Sequence, residues 1–223
     1  MTNNHYGITA LSVVFALVIS GIANPSMGQP ALVPRTGQTR CYDQNNNNNP
    51  VDCPSTPAGQ DGEKQAGVAW PDPRFVVNLN SDGTSNGTVT DKLTGLIWLQ
   101  NAHCFSAQLW QGALDLANKL PSIANQCGLK DGSKQGDWRL PNVRELESLI
   151  DYGQNNPPTL PNRGQPFFTD VQSTGYWSST SNTDTSNTDN PAGAWIVNFG
   201  NGSVNITVKT SDFNAVWPVR GGQ

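Results

Sequence analysis

The C-terminal third of the chain is rich in side chains that bind ligands through carboxylate and amide groups. Asn, Asp and Thr recur along 182–190 and again along 198–214, between short apolar runs. Such groups hydrogen-bond sugars and peptides, and their oxygens also coordinate Ca²⁺. We expect an extracellular glycan or protein to bind a surface formed by Asn182, Asp184, Asn187, Asp189, Trp195, Asn198, Asn201, Asn205, Asp212 and Asn214.

Two segments have the spacing of calcium ligands, but each lacks part of a known calcium loop. Asn78–Gly83 matches the start of an EF-hand loop, yet its twelfth position is Val89, where a bidentate glutamate is required. A β-hairpin turn is therefore the preferred interpretation of this segment. Asp184 and Asp189 stand among asparagines, and we interpret their loop as a solvated segment that contacts either a partner or nothing, in preference to a calcium site. No metal and no cofactor is expected.

Histidine is scarce, which leaves few candidates for acid–base catalysis. The chain contains only His5, in an N-terminal apolar segment, and His103, which lies beside a cysteine. A Ser-His-Asp arrangement would have to use His103. We therefore predict a protein that is not an enzyme.

Three tryptophans, Trp177, Trp195 and Trp217, lie in predicted C-terminal strands. An exposed tryptophan stacks well on a sugar ring, although strand tryptophans more often pack in a core. We include Trp195 in the predicted binding surface. Upstream, Trp138 is predicted to pack in the core, and Arg139 to pair with a carboxylate or with carbonyls near the next helix. Both are interpreted as scaffold.

Four cysteines allow three pairings, and their positions favour two short loops. We predict Cys41–Cys53 and Cys104–Cys127, each worth on the order of 3 kcal/mol if unstrained. No Cys-x-x-Cys occurs, and only His103 lies near a cysteine, so a zinc site is not favoured. Disulfides form in oxidising compartments, which agrees with a secreted, periplasmic or cell-surface protein.

The apolar run from Ile8 to Ile22 is followed by small residues and is typical of a secretory signal. About 15 apolar residues are too few for a comfortable membrane span of about 20. A membrane partner is expected only if the signal stays uncleaved. We divide the chain into a signal peptide at 1–28, an irregular leader arm at 29–66 that Cys41–Cys53 pins, and a single domain at 67–223.

The elements that must position the candidate residues follow from apolar spacing. One helix is predicted from Trp110 to Leu120, where Pro121 ends it. A second is predicted from Asn142, whose side chain forms a capping box with Glu145, to about Asp151. Turn residues at 80–83, 86–87 and 200–202 separate predicted strands. These strands are Phe75–Asn78, Thr88–Asp91, Leu96–Leu99, Tyr176–Ser179, Ala194–Phe199, Val204–Val208 and Ala215–Arg220.

This order predicts an α+β fold, with two helices set against a twisted, mostly antiparallel sheet. The 13 basic residues are scattered and the net charge is −4, so no nucleic-acid partner is expected. The low fraction of charged residues, 13%, together with many Asn, Ser, Thr and Gly residues, is typical of a secreted, loop-rich protein.

Five separated motifs resemble one bacterial family. They are Thr90–Trp98, Trp138–Leu146, Tyr176–Thr180, Ala194–Phe199 and Trp217–Arg220, in that order. Together they resemble the C-terminal domain family of the Legionella collagen-like adhesin (Lcl). The resemblance covers roughly Phe75 to Arg220 and implies a C-type-lectin-like fold in an extracellular adhesion module.

The resemblance also implies more specific functions. Some members are adhesins for sulfated polysaccharides, but this chain has only Lys209 and Arg220 as basic residues after Gly164, too few to neutralise clustered sulfates. Related lectin-fold proteins are variable receptors of diversity-generating retroelements, and the Asn- and Thr-rich C-terminal segments have that composition. A structural envelope or assembly module without a small ligand is the other alternative. The oligomeric state is left open.

Overall fold

The fold is seen in a computed structural model that describes residues 1, 33–43, 49–53, 59–154, 167–184 and 192–221, with the side chains of 124–126 left aside. Two predicted features lie outside the described residues. They are the signal peptide beyond Met1 and residues 185–190, which include Asn187 and Asp189. Within the described ranges, no helix is both long and apolar enough to cross a membrane.

Short strands dominate, and helices are few. In chain order the elements are β1 (Cys41–Tyr42), β2 (Pro50–Val51), α1 (Asp61–Lys64), β3 (Phe75–Leu79), β4 (Ser85–Asp91), β5 (Ile97–Leu99), α2 (Trp110–Lys119), a 3-10 segment (Leu120–Gln126), α3 (Val143–Glu147), β6 (Gly175–Ser181), β7 (Gly193–Asn198), β8 (Val204–Val208) and β9 (Val219–Arg220). The α+β class is confirmed.

The described strands of the domain form two antiparallel sheets instead of the single sheet predicted. One has the order β3-β4-β5-β9 and the other β6-β7-β8. The segment between β8 and β9 links them, because Ala215 bridges to Tyr176 on β6 before the chain reaches β5. The C-terminal strand region therefore belongs to both sheets.

The core between the sheets is aromatic. Trp98, Trp138, Trp177 and Trp217 are each fully buried. Trp217 lies at the junction, and its indole Nε1 donates a hydrogen bond of 2.8 Å to the Leu99 carbonyl. Its ring lies within 5.6 Å, centroid to centroid, of four other aromatic rings: Trp98, Phe168, Tyr176 and Phe199. The predicted core position of Trp138 is confirmed.

The predicted last strand, Ala215–Arg220, is shorter in the structure. Only Val219 and Arg220 pair with β5, while Asn214 and Ala215 make isolated bridges to other segments. The reason is local: Trp217 turns its side chain into the core, and Pro218 has no N–H to donate to a ladder. Pro218 stands directly before β9.

The predicted turn at Asn86–Gly87 is wrong. Both residues lie inside β4, at a bulge where the pairing with β3 shifts register between Val77 and Leu79. Gly87 has φ +83°, and a Cβ there would lie 2.5 Å from the Gly128 carbonyl oxygen. A bulge therefore uses the same Asn-Gly chemistry that a hairpin turn would use. The turn at 80–83 is confirmed, since Gly83 N–H bonds to Asn80 O at 3.0 Å.

Both helices begin where the sequence predicts, and the second is short. The capping box of α3 is present: Asn142 Oδ1 accepts from Glu145 N–H at 2.9 Å, and Glu145 Oε2 accepts from Asn142 N–H at 2.7 Å. Regular helix ends at Glu147 instead of near Asp151. Leu149 and Ile150 are buried all the same, because the following turn packs them into the core.

Arg139 is scaffold, as predicted. Its guanidinium makes two hydrogen bonds of 2.8 Å to the Glu145 carboxylate and one of 2.9 Å to the Gly221 carbonyl. Hydrogen bonding to Glu145 raises the pKa of Arg139. One side chain thus joins the cap of α3 to the chain just beyond β9.

The described residues of the leader arm, 33–43, 49–53 and 59–66, include short regular elements. It holds the β1–β2 hairpin and the single turn of α1. It also packs on the domain, since Pro34 bridges to Val68 and Thr36 O accepts from Tyr152 N–H at 2.9 Å. Both predicted disulfides, Cys41–Cys53 and Cys104–Cys127, are confirmed.

Candidate functional site

The predicted binding residues divide between the two ends of the three-stranded sheet. β8 has five residues, so its ends lie about 13 Å apart at roughly 3.3 Å per residue. Asn182, Asp184 and Asp212 lie where β6 and β8 end and β7 begins. At the opposite end lie Asn198, the last residue of β7, and Asn201, in the β7–β8 turn. The described members therefore do not form one patch.

At the hairpin end, defined as Asn198–Ser203, the asparagines build the turn. Asn198 Oδ1 accepts from Gly200 N–H at 2.7 Å. Asn201 Oδ1 accepts from the Ser203 N–H at 3.0 Å and from its hydroxyl at 2.7 Å. Their carbonyl oxygens are thus engaged within the protein, as in other Asx turns.

Three other predicted residues have distinct surroundings. Asn205 is exposed at the second position of β8, and its Nδ2 donates to Ser203 Oγ at 2.8 Å. Asn214 is only 9% exposed and exchanges two backbone hydrogen bonds with Gln108. Trp195 lies opposite Ile206 and is partly exposed, whereas Trp177 and Trp217 are fully buried. Of these three strand tryptophans, only Trp195 offers surface to a ligand.

The other end, which we call the Lys209 end, comprises Trp110, Ser181–Asp184, Lys209 and Asp212. Its backbone is cross-linked. Asn182 N–H bonds to Gly193 O at 3.0 Å, and Lys209 N–H bonds to Ala192 O at 3.1 Å. Trp110, the first residue of α2, donates its N–H to Lys209 O at 3.3 Å. Helix α2 is therefore attached to the end of the sheet.

A cation and an aromatic ring are held together at this end. Lys209 Nζ lies 4.1 Å from the centroid of the Trp110 ring and donates to Ser181 Oγ at 2.7 Å. The Trp110 Nε1 donates to the Ser178 carbonyl at 2.8 Å, which fixes the ring. Both side chains are partly exposed. A cation over an indole face contributes about 0.5–1 kcal/mol at an exposed site, so the pair is preorganised before any ligand arrives.

The amide of Asn182 and the carboxylate of Asp212 complete the Lys209 end. Asn182 Oδ1 accepts from Asp184 N–H at 3.1 Å, while its Nδ2 is buried and has no hydrogen-bond partner in the described part of the chain. Asp212 Oδ2 accepts from Val208 N–H at 2.8 Å and from the Thr207 hydroxyl. The Thr207 hydrogen bond lowers the pKa of Asp212. Asp212 therefore stabilises the turn that follows β8.

Sequence reasoning missed Trp110 and Lys209 as partners of this surface. Trp110 falls on the apolar stripe of α2, where periodicity assigns it to the core. Lys209 was counted only as one of two late cations. The sequence does show a lysine, Lys209, directly after a predicted strand. It does not show that this lysine contacts Trp110, about a hundred residues upstream. Within the described ranges, no three His, Cys, Asp or Glu side chains cluster as metal ligands.

Comparison with known proteins supplies the family. A search of curated proteins finds no match to this chain. The model of the Lcl C-terminal domain matches residues 87–220, which is more than half of the 223 residues. The matched segment runs from within β4 to the end of β9 and includes both α2 and α3. The chain therefore belongs to the Lcl C-terminal domain family.

Proposed function

We propose that this protein is a secreted or surface-displayed bacterial binding module, used in adhesion, that recognises an extracellular ligand through the Lys209 end. Membership of the Lcl C-terminal domain family is the observation that carries the proposal. The two disulfides support an oxidising location outside the cytoplasm. The module has no enzymatic role in this proposal.

The Lys209 end is preferred to the hairpin end because it has a polar group without a hydrogen-bond partner among the described residues. At the hairpin end the asparagine oxygens already accept turn hydrogen bonds. At the Lys209 end the Trp110–Lys209 pair is fixed through Ser181, and Nδ2 of the next residue, Asn182, has no partner among the described residues. A ligand oxygen that reaches this group would satisfy a buried donor, which is worth about 1–3 kcal/mol.

The charge of this region favours a neutral or weakly acidic ligand. After Gly164 the basic residues are Lys209 and Arg220. Arg220 Nη2 lies 3.0 Å from the buried Asp131 carboxylate, so its charge is compensated within the protein. One lysine does not match a densely sulfated chain, whose recognition depends on several paired cations. A neutral glycan or a protein loop is the ligand class that we propose.

The first experiment combines a glycan array with a pull-down of extracellular proteins, using the full chain. Ligands identified there are then measured against the double variant Asn182→Ala/Lys209→Ala. We expect affinity to fall at least about tenfold, since two polar contacts at about 1 kcal/mol each are removed. Circular dichroism and thermal melting check that the fold is retained.

The matched control is Asn201→Ala/Asn205→Ala, which removes two amides at and beside the hairpin end. We expect this pair to bind as the parent does. Binding that survives the first pair with the fold intact would place the ligand elsewhere. A protein partner without any glycan signal would favour the assembly-module alternative. A reverse transcriptase beside the gene, with a near-repeat of its 3′ end, would favour a diversified receptor.

We further propose that the architecture is C-type-lectin-like. The supporting features are two helices between an N-terminal and a C-terminal set of antiparallel strands, and a last strand, β9, that returns to the first sheet beside β5. An experimental structure of the full chain would test this: a different strand connection between the two sheets would refute it.

A further inference from the structure

A concave site lies where the leader arm meets the turn after α3. This arm cleft has a volume of about 250 Å³. Three parts of the chain form its wall: Arg35–Thr39 of the arm, the segment Gln65–Trp70, and the turn Asp151–Gln154. Its lining includes no residue of the Lys209 end. In the same turn as Asp151, the Tyr152 hydroxyl donates a 3.2 Å hydrogen bond to Gly202 O, at the hairpin end.

The cleft contains a buried acceptor. Asp151 is 5% exposed and has no cationic partner among the described residues. Its Oδ1 accepts from Gly153 N–H at 2.9 Å, and its Oδ2 accepts from Gln154 Nε2 at 3.1 Å. A carboxylate has about four lone-pair sites. Asp151 can therefore accept further hydrogen bonds from a ligand.

The cleft also contains donors that the protein does not fully use. Arg35 Nε is buried and has no hydrogen-bond partner in the described part of the chain, while Arg35 Nη1 makes only a long 3.5 Å contact with Gln65 Oε1. The side chains of Gln38, Gln65 and Gln154 line the same space, and each carries both a donor and an acceptor. The opposite charges of Arg35 and Asp151 make the site neutral overall.

An aromatic surface borders this polar set. Trp70 is partly exposed and is held by a 2.9 Å hydrogen bond from its Nε1 to Arg35 O. The Arg74 guanidinium lies over its ring, 4.9 Å from the centroid. The indole orientation is thus fixed from two sides. A rigid indole next to mixed donors and acceptors suits a ligand with one apolar C–H face and a polar edge.

We propose that the arm cleft binds a single sugar ring, with vicinal hydroxyls on Asp151 and the Gln154 amide, a ring or hydroxyl oxygen on Arg35, and the C–H face against Trp70. The volume lies just below the roughly 300 Å³ at which drug-sized ligand sites begin. It therefore admits one monosaccharide unit, free or at a chain end. The site goes beyond the proposed function and does not depend on the Lys209 end.

The conformation of the arm at Gly37 shapes this cleft. A Cβ at Gly37 would lie 2.1 Å from Asp151 Oδ1 and 2.8 Å from Trp70 Cη2. Gly37 also has φ +87°, which glycine adopts without strain. The arm thus approaches the carboxylate and the indole as closely as a main chain can. Residues of the arm complete a site that the domain alone would leave open.

The test uses the full chain and a panel of free monosaccharides that includes hexoses, hexosamines and uronic acids. Saturation-transfer NMR identifies the sugar, and a titration gives its Kd, which we expect on the order of 1 mM for so small a ligand. Asp151→Asn should weaken binding about tenfold, because it removes a charge-assisted acceptor. Gln154→Ala, at an exposed side chain, should weaken it several-fold without loosening the arm.

The matched control is Asp212→Asn, since Asp212 also accepts a backbone N–H in a turn but lies outside the cleft. It should leave the Kd unchanged, as should Asn182→Ala/Lys209→Ala. Thermal melting shows whether Asp151→Asn retains the fold. Three results would overturn the proposal: no saturation transfer to any sugar, unchanged affinity in both cleft variants, or binding only to parallel panels of amino acids or nucleosides.

Discussion

Arg74 and Asp91 form a buried ion pair at the start of the first sheet. Their side chains are 3% and 0% exposed, and two hydrogen bonds of 2.9 and 2.7 Å join them. Asp91 also accepts from Leu93 N–H and from the Thr94 hydroxyl, which builds the turn between β4 and β5. Arg74 lies over the rings of both Trp70 and Phe75. One charged pair thus connects the turn, the sheet edge and the wall of the arm cleft.

Replacing Asp91 should lower the free energy of unfolding strongly, because its buried partner Arg74 remains. Asp91→Asn keeps the size of the side chain but leaves the buried guanidinium without a counter-charge, a loss of about 3–5 kcal/mol in the free energy of unfolding. Urea denaturation followed by tryptophan fluorescence measures it. The exposed turn residue Asp82 serves as the control, and Asp82→Asn should change stability little. Equal effects of the two variants would contradict the role given to burial.

For single residues, the sequence predicts the types of polar group that are present better than it predicts which groups lie in contact. The sequence predicts a turn that contains Asn201 and a strand that contains Asn198, and it predicts both asparagines as ligand groups. The structure shows that their oxygens close the β7–β8 turn, and a single sequence cannot tell these uses apart. Trp110 and Lys209 were missed for the opposite reason, since only the fold brings them within 4.1 Å.

At the scale of elements, Glu145 has two roles in α3. It completes the capping box with Asn142 and binds Arg139 through two hydrogen bonds. The helix has only five residues, so its own hydrogen bonds stabilise it little. The capping box and the Arg139–Glu145 ion pair must therefore supply stabilisation that so short a helix lacks.

The two roles of Glu145 can be separated by substitution. Glu145→Gln retains the cap, because glutamine also accepts from the N-cap N–H, and it loses the ion pair, so we expect a cost of about 1 kcal/mol. Glu145→Ala loses both, with an expected cost of about 2 kcal/mol. Thermal and urea unfolding give the values. Glu147→Ala, which removes a partner of the exposed Arg144, is the control and should cost least; identical costs for Gln and Ala would contradict this division.

Local signals predicted element starts more reliably than element ends. The capping box placed the start of α3 because it needs only two side chains three residues apart. The end of α3 depends on how Leu149 and Ile150 pack into the core. The spacing of apolar residues in the sequence carries no information about this packing. Likewise, Asn86–Gly87 has the composition of a turn, and only the approach of Gly128 shows that it forms a bulge.

For the whole molecule, Tyr176 lies at the joint between the two sheets. It is fully buried, contacts the rings of Phe199 and Trp217, and pairs with Ala215. Its hydroxyl accepts from Gln172 N–H at 2.9 Å. Burial raises the pKa of Tyr176 from 10.0 to about 12. The neutral phenol is therefore the form that the folded protein requires.

This shift predicts a loss of stability at alkaline pH. A raised folded-state pKa means that the stabilisation is complete below about pH 10, where tyrosine in the unfolded chain begins to ionise. It should then be lost at up to about 1.4 kcal/mol per pH unit until the folded-state pKa is reached. Urea midpoints measured from neutral pH to about pH 11 test this. Tyr176→Phe should be less stable at neutral pH but show a flatter alkaline slope; an unchanged slope would contradict the assignment.

The position of Trp217 has a consequence for how the protein is made. Because this ring contacts residues of both sheets, the core stays open until residues 215–220 have left the ribosome. Contacts between residues as distant as Leu99 and Trp217 also form late in folding, since a long loop must close first. We therefore expect the core of a nascent chain to form only after residues 215–220 are synthesised. For a protein secreted as we propose, this delay would keep the chain in the unfolded state that a secretory translocon accepts.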